Sequence, residues 1–126
     1  MKKVMSIAVG AIMVLSLFAL PASAGGREVI LTGDCSGRSD WKLKVKADDG
    51  GLEVELEVDQ NVVGDTWSVR IAQDGERIFA GRRTTKAPSG SFEVQRMTSG
   101  NGGTDHFVAR ARNRSTDEVC RGTLNF

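Results

Sequence analysis

Between Trp41 and Asp59, apolar and charged residues alternate without interruption on both sides of a single turn, a pattern that a half-buried antiparallel hairpin satisfies. Trp41, Leu43, Val45 and Ala47 alternate with Lys42, Lys44 and Lys46. Asp48-Asp49-Gly50-Gly51 supplies turn chemistry, and then Leu52, Val54, Leu56 and Val58 alternate with Glu53, Glu55, Glu57 and Asp59. A period of two sends one set into a core and the other into water. A two-residue turn at Asp49-Gly50 predicts that partner numbers sum to 99, so Lys46 faces Glu53, Lys44 faces Glu55 and Lys42 faces Glu57. The same register sets Leu43 beside Leu56 and Val45 beside Val54, so the charge pattern and the apolar pattern agree. Three nearby glutamates invite a metal or catalytic reading, but a lysine opposite each makes them a neutralised ladder of exposed pairs, worth about 0.2–1 kcal/mol each. No metal site is assigned.

The rest of the chain repeats this logic in shorter pieces. Trp67, Val69 and Ile71 alternate with Ser68, Arg70 and Ala72, Asp74-Gly75 is a turn, and a return strand runs from Arg77 to about Arg83. Partners summing to 149 put Ile71 beside Ile78 and Val69 beside Ala80, with Phe79 outward beside Arg70. A one-residue slip would exchange Phe79 with its neighbours. Residues 84–90 read as an exposed loop, 91–97 as a strand with Phe92 and Val94 inward, and 99–103 as a connection. Two more strands follow, one carrying Phe107, Ala109 and Ala111, the other Cys120, Gly122, Leu124 and Phe126 on a single face. No stretch after residue 25 has helical periodicity. Seven strands with turns every 8–12 residues predict a two-sheet sandwich.

Compartment is read from the first residues. Lys2 and Lys3 precede an apolar run from Ile7 to Leu20, and Pro21-Ala22-Ser23-Ala24 offers a small-residue cleavage site before Gly25. Residues 1–24 are therefore expected to be a signal peptide, leaving 25–126 as one domain with no membrane span after processing, secreted and extracellular. Cys35 and Cys120 are the only cysteines. In an oxidising compartment they are expected to form one disulfide, tying an N-terminal segment that includes a short edge strand, Val29 to Thr32, to the last strand.

Without Lys2 and Lys3, the 17 basic residues fall to 15 against 16 acidic ones, which gives no global electrostatic case for nucleic acid. The distribution is uneven. Residues 25–65 carry 5 basic and 10 acidic side chains, and residues 66–126 carry 10 and 6. Such asymmetry predicts two differently charged faces.

In order and spacing the pieces resemble an immunoglobulin-like or fibronectin-type-III-like sandwich across nearly all of residues 25–126, with Trp67 on the third full strand and Gly103 to Asn113 leading into and forming the sixth. The cysteines depart from the antibody pattern, in which the bridge crosses the core. Gly33-Asp34-Cys35-Ser36, Gly64 to Val69 and Glu118 to Gly122 also resemble small secreted actinobacterial proteins of unassigned function. That resemblance implies a compartment and an immunoglobulin-like, all-β fold of about seven strands plus an N-terminal edge strand. It carries no functional residues and no cofactor.

Enzyme chemistry finds little inventory. Nucleophile-and-base catalysis needs a base beside a hydroxyl or thiol, yet His106 is the one histidine and both cysteines are committed. A non-enzymatic binding module is expected. In the immunoglobulin-like layout the third, fourth, sixth and seventh strands share a sheet, whose outer face would gather Arg70, Arg77, Phe79, Val108, Arg110, Arg112, Val119 and Arg121. Arginine among apolar residues suits an interface, and its planar donors suit carboxylate or phosphate. The expected partner is an acidic protein surface or an anionic cell-envelope polymer, with homo-oligomerisation left open. The opposing view is that these arginines are solvated and paired with Glu76, Asp117 and Glu118. A class-distinct alternative is a protease or glycosidase inhibitor presenting residues 83–89, with Lys86, Ala87 and Pro88 at its tip. Asn113-Arg114-Ser115 also matches a glycosylation sequon, a weak three-residue pattern.

Overall fold

The computed structural model describes residues Gly26–Phe126, and the signal peptide expected over residues 1–24 lies outside the described residues. Alternation at period two yields eight strands: β1 (Glu28–Asp34), β2 (Asp40–Asp48), β3 (Gly51–Asp59), β4 (Thr66–Gln73), β5 (Glu76–Thr84), β6 (Ser91–Thr98), β7 (His106–Asn113) and β8 (Val119–Asn125). They pair antiparallel into one sheet of order β1-β2-β3-β6 and a second of order β5-β4-β7-β8. No helix occurs among the described residues. The sheets stack with β2 beside β8 and β5 beside β6. β2-β3-β6 and β4-β7-β8 repeat the A-B-E and C-F-G neighbour order of immunoglobulin-like sandwiches, with β1 added at one edge.

The first hairpin keeps its expected register along its whole length, from Asp48 opposite Gly51 to Asp40 opposite Asp59. Its inner residues Leu43, Val45, Val54, Leu56 and Val58 are buried, and they meet Trp67, Val69 and Ile71 of β4 and Phe107 and Leu124 of the second sheet. Trp67 packs on Phe92 with ring centroids 6.0 Å apart. Burying an indole requires a partner for its N–H. Trp67 Nε1 donates to Gln60 Oε1 at 3.0 Å, Gln60 Nε2 donates to Asp65 at 2.6 Å, and Asn113 Nδ2 donates to the same carboxylate at 3.0 Å. Asn113 also accepts from the backbone N–H of Ser115 and Thr116 and is wholly buried, so the sequon asparagine is spent inside the fold.

The second hairpin corrects the sequence expectation. Near its turn Ala72 faces Arg77, as the sum of 149 requires, but a bulge then shifts the pairing so that Ile71 faces Phe79, Arg70 faces Ala80 and Val69 faces Gly81. Ile78 is the extra residue. Its carbonyl accepts from Arg96 Nε of β6 at 3.1 Å, so a side chain of the facing sheet satisfies an acceptor beside the bulge. Phe79 consequently turns inward against the core, with Arg83 stacked over its ring at 5.0 Å.

Cys35 and Cys120 are bridged, with Cα atoms 4.3 Å apart and a sequence separation of 85. In the chain-entropy picture, a loop of that length stabilises by at most about 4–5 kcal/mol. The bridge is reinforced by its neighbours. Ser36 N–H donates to the Val119 carbonyl, and the backbone N–H and hydroxyl of Ser39 both donate to Glu118. The segment after β1 is thereby fastened to the start of β8.

Trp41 explains two glycines. Its ring lies against Gly33 on β1 and Gly122 on β8, where an added Cβ would fall 2.6 Å and 2.7 Å from indole atoms. Gly122→Ala is therefore expected to destabilise the protein by about 1–3 kcal/mol through overpacking. Adding Trp41→Leu should recover much of that loss in thermal unfolding. Additive losses in the double variant would show that the indole is not what Gly122 accommodates.

Candidate functional site

Because β4, β7 and β8 pair in register and only one face of their sheet is buried, every second residue projects outward. Three rows cross the sheet. Arg77, Ala72, Val108 and Thr123 form the first, Ala80, Arg70, Arg110 and Arg121 the second, and Arg82, Ser68, Arg112 and Val119 the third. Arg114 follows β7 and donates from Nη1 to Ser68 Oγ at 3.2 Å. The sequence-expected residues Arg70, Arg77, Arg110, Arg112 and Arg121 therefore share one face, while Phe79 leaves it.

Arg82 and Arg114 join the set without having been anticipated. Arg82 faces outward because of the bulge, and the available signal was the break of alternation at Ile78-Phe79-Ala80, three adjacent apolar residues followed by the charged pair Arg82-Arg83. Arg114 gave no periodic signal, since it lies beyond the end of β7.

Directly opposed residues on an antiparallel pair have Cβ atoms about 4.5–5.5 Å apart, and like charges there are unfavourable. Arg70, Arg110 and Arg121 are three such neighbours in one row. Among the described residues, Arg112 with Asp117, at 2.9 Å, is the ion pair of this face. Glu118 is occupied by Ser39, and Glu76 bridges none of the arginines. Expected pairing with Glu76 and Glu118 is thus absent among the described residues. The face is also concave: an open groove of about 990 Å³ runs over β4 from Gly75 to Arg114, floored by Ser68, Ala72, Ala80 and Gly81.

The opposite sheet presents the contrary case. Lys42 lies 3.7 Å from Glu57, Lys44 3.2 Å from Glu55 and 3.9 Å from Glu28, and Lys46 3.5 Å from Glu53. Glu55, Glu57 and Glu93 bring carboxylate oxygens within 4.8 Å of one another, and Lys42 and Lys44 supply the countercharge. At one end, Asp34, Asp40 and Asp59 stand in a single row, and burial together with Asp34 pushes the Asp40 carboxyl upward. One outer face of the sandwich is therefore basic and the other acidic.

Residues 83–89 do not form one extended loop. Arg83 and Thr84 belong to β5, and Thr85 is buried, with its N–H donating to Asp65 and its carbonyl accepting from Gly64. Only Lys86 to Ser89 protrude, closed on themselves by the Gly90 N–H donating to the Lys86 carbonyl at 2.8 Å. His106, at the start of β7, has Nδ1 2.6 Å from Asn125 Oδ1 on the rim of the basic sheet. Compared with known protein families, curated proteins and solved structures, the chain has no match.

Two stability experiments follow from the contrast between the faces. Burial alone would raise the Glu55 carboxyl, but hydrogen bonds from Lys44 and Gln95 hold it below its ordinary 4.5, while the bond to Glu55 holds Lys44 above its ordinary 10.5. Glu55 thus adds stability that is complete above 4.5 and lost as pH falls through its lowered value. The Lys44 contribution is complete below 10.5 and lost as pH rises through its raised value. Glu55→Gln should flatten the acid limb of melting temperature against pH, and an unchanged limb would remove the pair from that transition. On the other face, Arg110→Thr should raise the melting temperature at low salt by the equivalent of about 0.2–1 kcal/mol, a gain that shrinks as salt screens the row. A lower melting temperature would mean the row is compensated internally.

Proposed function

We propose that this protein is a secreted, non-enzymatic binding module whose arginine face takes an anionic partner. The observation that carries the reading is the row Arg70-Arg110-Arg121, three cations on adjacent strands with no carboxylate bridged to them among the described residues. Such a row costs stability in the free protein. Its cost is offset when an anion sits on it, which is how functional surfaces trade stability for binding. Guanidinium groups offer planar paired donors that fit carboxylate and phosphate oxygens. The signal-like residues 1–24, the disulfide and an oxidising compartment belong together, and they point to a partner outside the cell.

The test is retention of the tagged domain, residues 25–126, on isolated cell envelope and on culture-fluid proteins at low and high salt. Retention should weaken as salt rises. Arg70→Glu/Arg110→Glu should abolish it while leaving the melting temperature within a few degrees of wild type. Full-strength retention by the double variant would remove the arginine face from binding.

A further inference from the structure

We propose that the partner of this face is an extended polyanion of linked phosphate groups, lying lengthwise in the groove over β4; this rests on the binding reading above. Four features of the groove carry the inference. On either side of Arg70 its floor is small side chains and strand backbone, Ser68, Ala72, Ala80 and Gly81, so a chain can approach the sheet closely there between its cationic walls. Those walls are Arg77 and Arg82 on β5, and Arg110, Arg112 and Arg114 on or just after β7, with Arg70 midway along the floor.

The third feature is length. From Val108 to Arg114 the wall advances six residues, roughly 20 Å at about 3.3 Å per residue, which matches several linked anionic groups and exceeds any single one. The fourth is what the lining lacks. No aromatic ring lines it, Phe79 having turned inward, so neither bases nor sugar rings have a surface to stack on and charge is what is read. Phosphate is favoured over carboxylate by crowding: Arg70 and Arg110 stand directly opposite each other, with Arg82 and Arg112 in the adjacent row, and a phosphoryl group offers more acceptor oxygens and more charge than the two oxygens a carboxylate presents to one planar fork.

The experiment measures affinity for inorganic polyphosphate of about 3, 15 and 45 units, cyclic trimetaphosphate, poly(glycerol phosphate), polyglutamate and a thymidine oligomer, chosen to compare linear, cyclic and multivalent anions. Binding should strengthen at least about tenfold from 3 to 15 units as further groups engage. Its dependence of log affinity on log salt should have a slope near −3 if about four phosphates each contribute roughly 0.7. Poly(glycerol phosphate) binding beside or in place of polyphosphate identifies which phosphate chain is the source, and either supports the proposal.

Ser68→Phe fills the groove floor on the solvent side without changing charge. It should weaken the 15-unit chain at least about tenfold while leaving circular dichroism and melting temperature unchanged, the gain from additional contacts being lost. Unaltered affinity in that variant overturns the groove path. Equal affinity for trimetaphosphate and the long chain overturns the extended ligand, tighter polyglutamate overturns phosphate, and a tighter thymidine oligomer shows that bases are read; in all three the anion-binding face survives. Should none of these bind at low salt, the binding reading fails with the inference.

Discussion

Burying one face of each sheet is the constraint on which everything else depends. Once Leu43, Leu56, Trp67, Ile71, Phe107 and Leu124 are committed to the interior, the residues that alternate with them are committed to the outer faces. A slip of one position would exchange the two sets, placing lysines, glutamates or arginines in the core, so register is held by the cost of burying charge. The outer faces are thus the obligatory complement of the core pattern. Their composition is free to serve another purpose.

The two outer faces use that freedom in opposite ways. On the β1-β2-β3-β6 sheet, each lysine stands opposite a glutamate, and the ladder neutralises most of its own field. On the β5-β4-β7-β8 sheet, arginine faces arginine across adjacent strands at Arg70, Arg110 and Arg121, and Asp117 bridges Arg112 in the next row. The first arrangement is what stability alone favours. The second raises the free energy of the folded state unless something anionic covers it, and its central row lies on β4, β7 and β8, whose pairings run without a register shift and hold the cations at fixed spacing.

Closure of the sandwich relies on features distant in sequence. The disulfide and the Ser36, Ser39 and Glu118 hydrogen bonds fasten the β1–β2 connection to β8, Trp41 fits between glycines of both sheets, and Arg96 of β6 caps the bulge in β5. These contacts pin both long sides of the sandwich. The basic sheet is thereby fastened to its partner at the β5 edge, where the bulge turns Arg82 outward, as well as at the β8 edge.

By itself the sequence determined where the strands lie, the full register of the first hairpin, the pairing of the only two cysteines and the membership of the basic sheet. It also determined five of the arginines on its outer face: Arg70, Arg77, Arg110, Arg112 and Arg121. The strands, the hairpin register and the side each arginine takes follow from local period two, turn residues and residue identity, whereas the grouping of four strands into the basic sheet is what the resemblance to immunoglobulin-like sandwiches implies. Tertiary structure decided the rest. Whether Phe79 or Ala80 faces Arg70 depends on a bulge whose neighbouring carbonyl is satisfied by Arg96 from the other sheet. Arg82 and Arg114 reach the face through that bulge and through a turn, the loop at 83–89 shortens because Thr85 is buried against Asp65, and Asn113 is buried by partners as far away as Asp65. A period of two states which side a residue takes relative to its neighbours, but only contacts between the sheets decide where that period is interrupted.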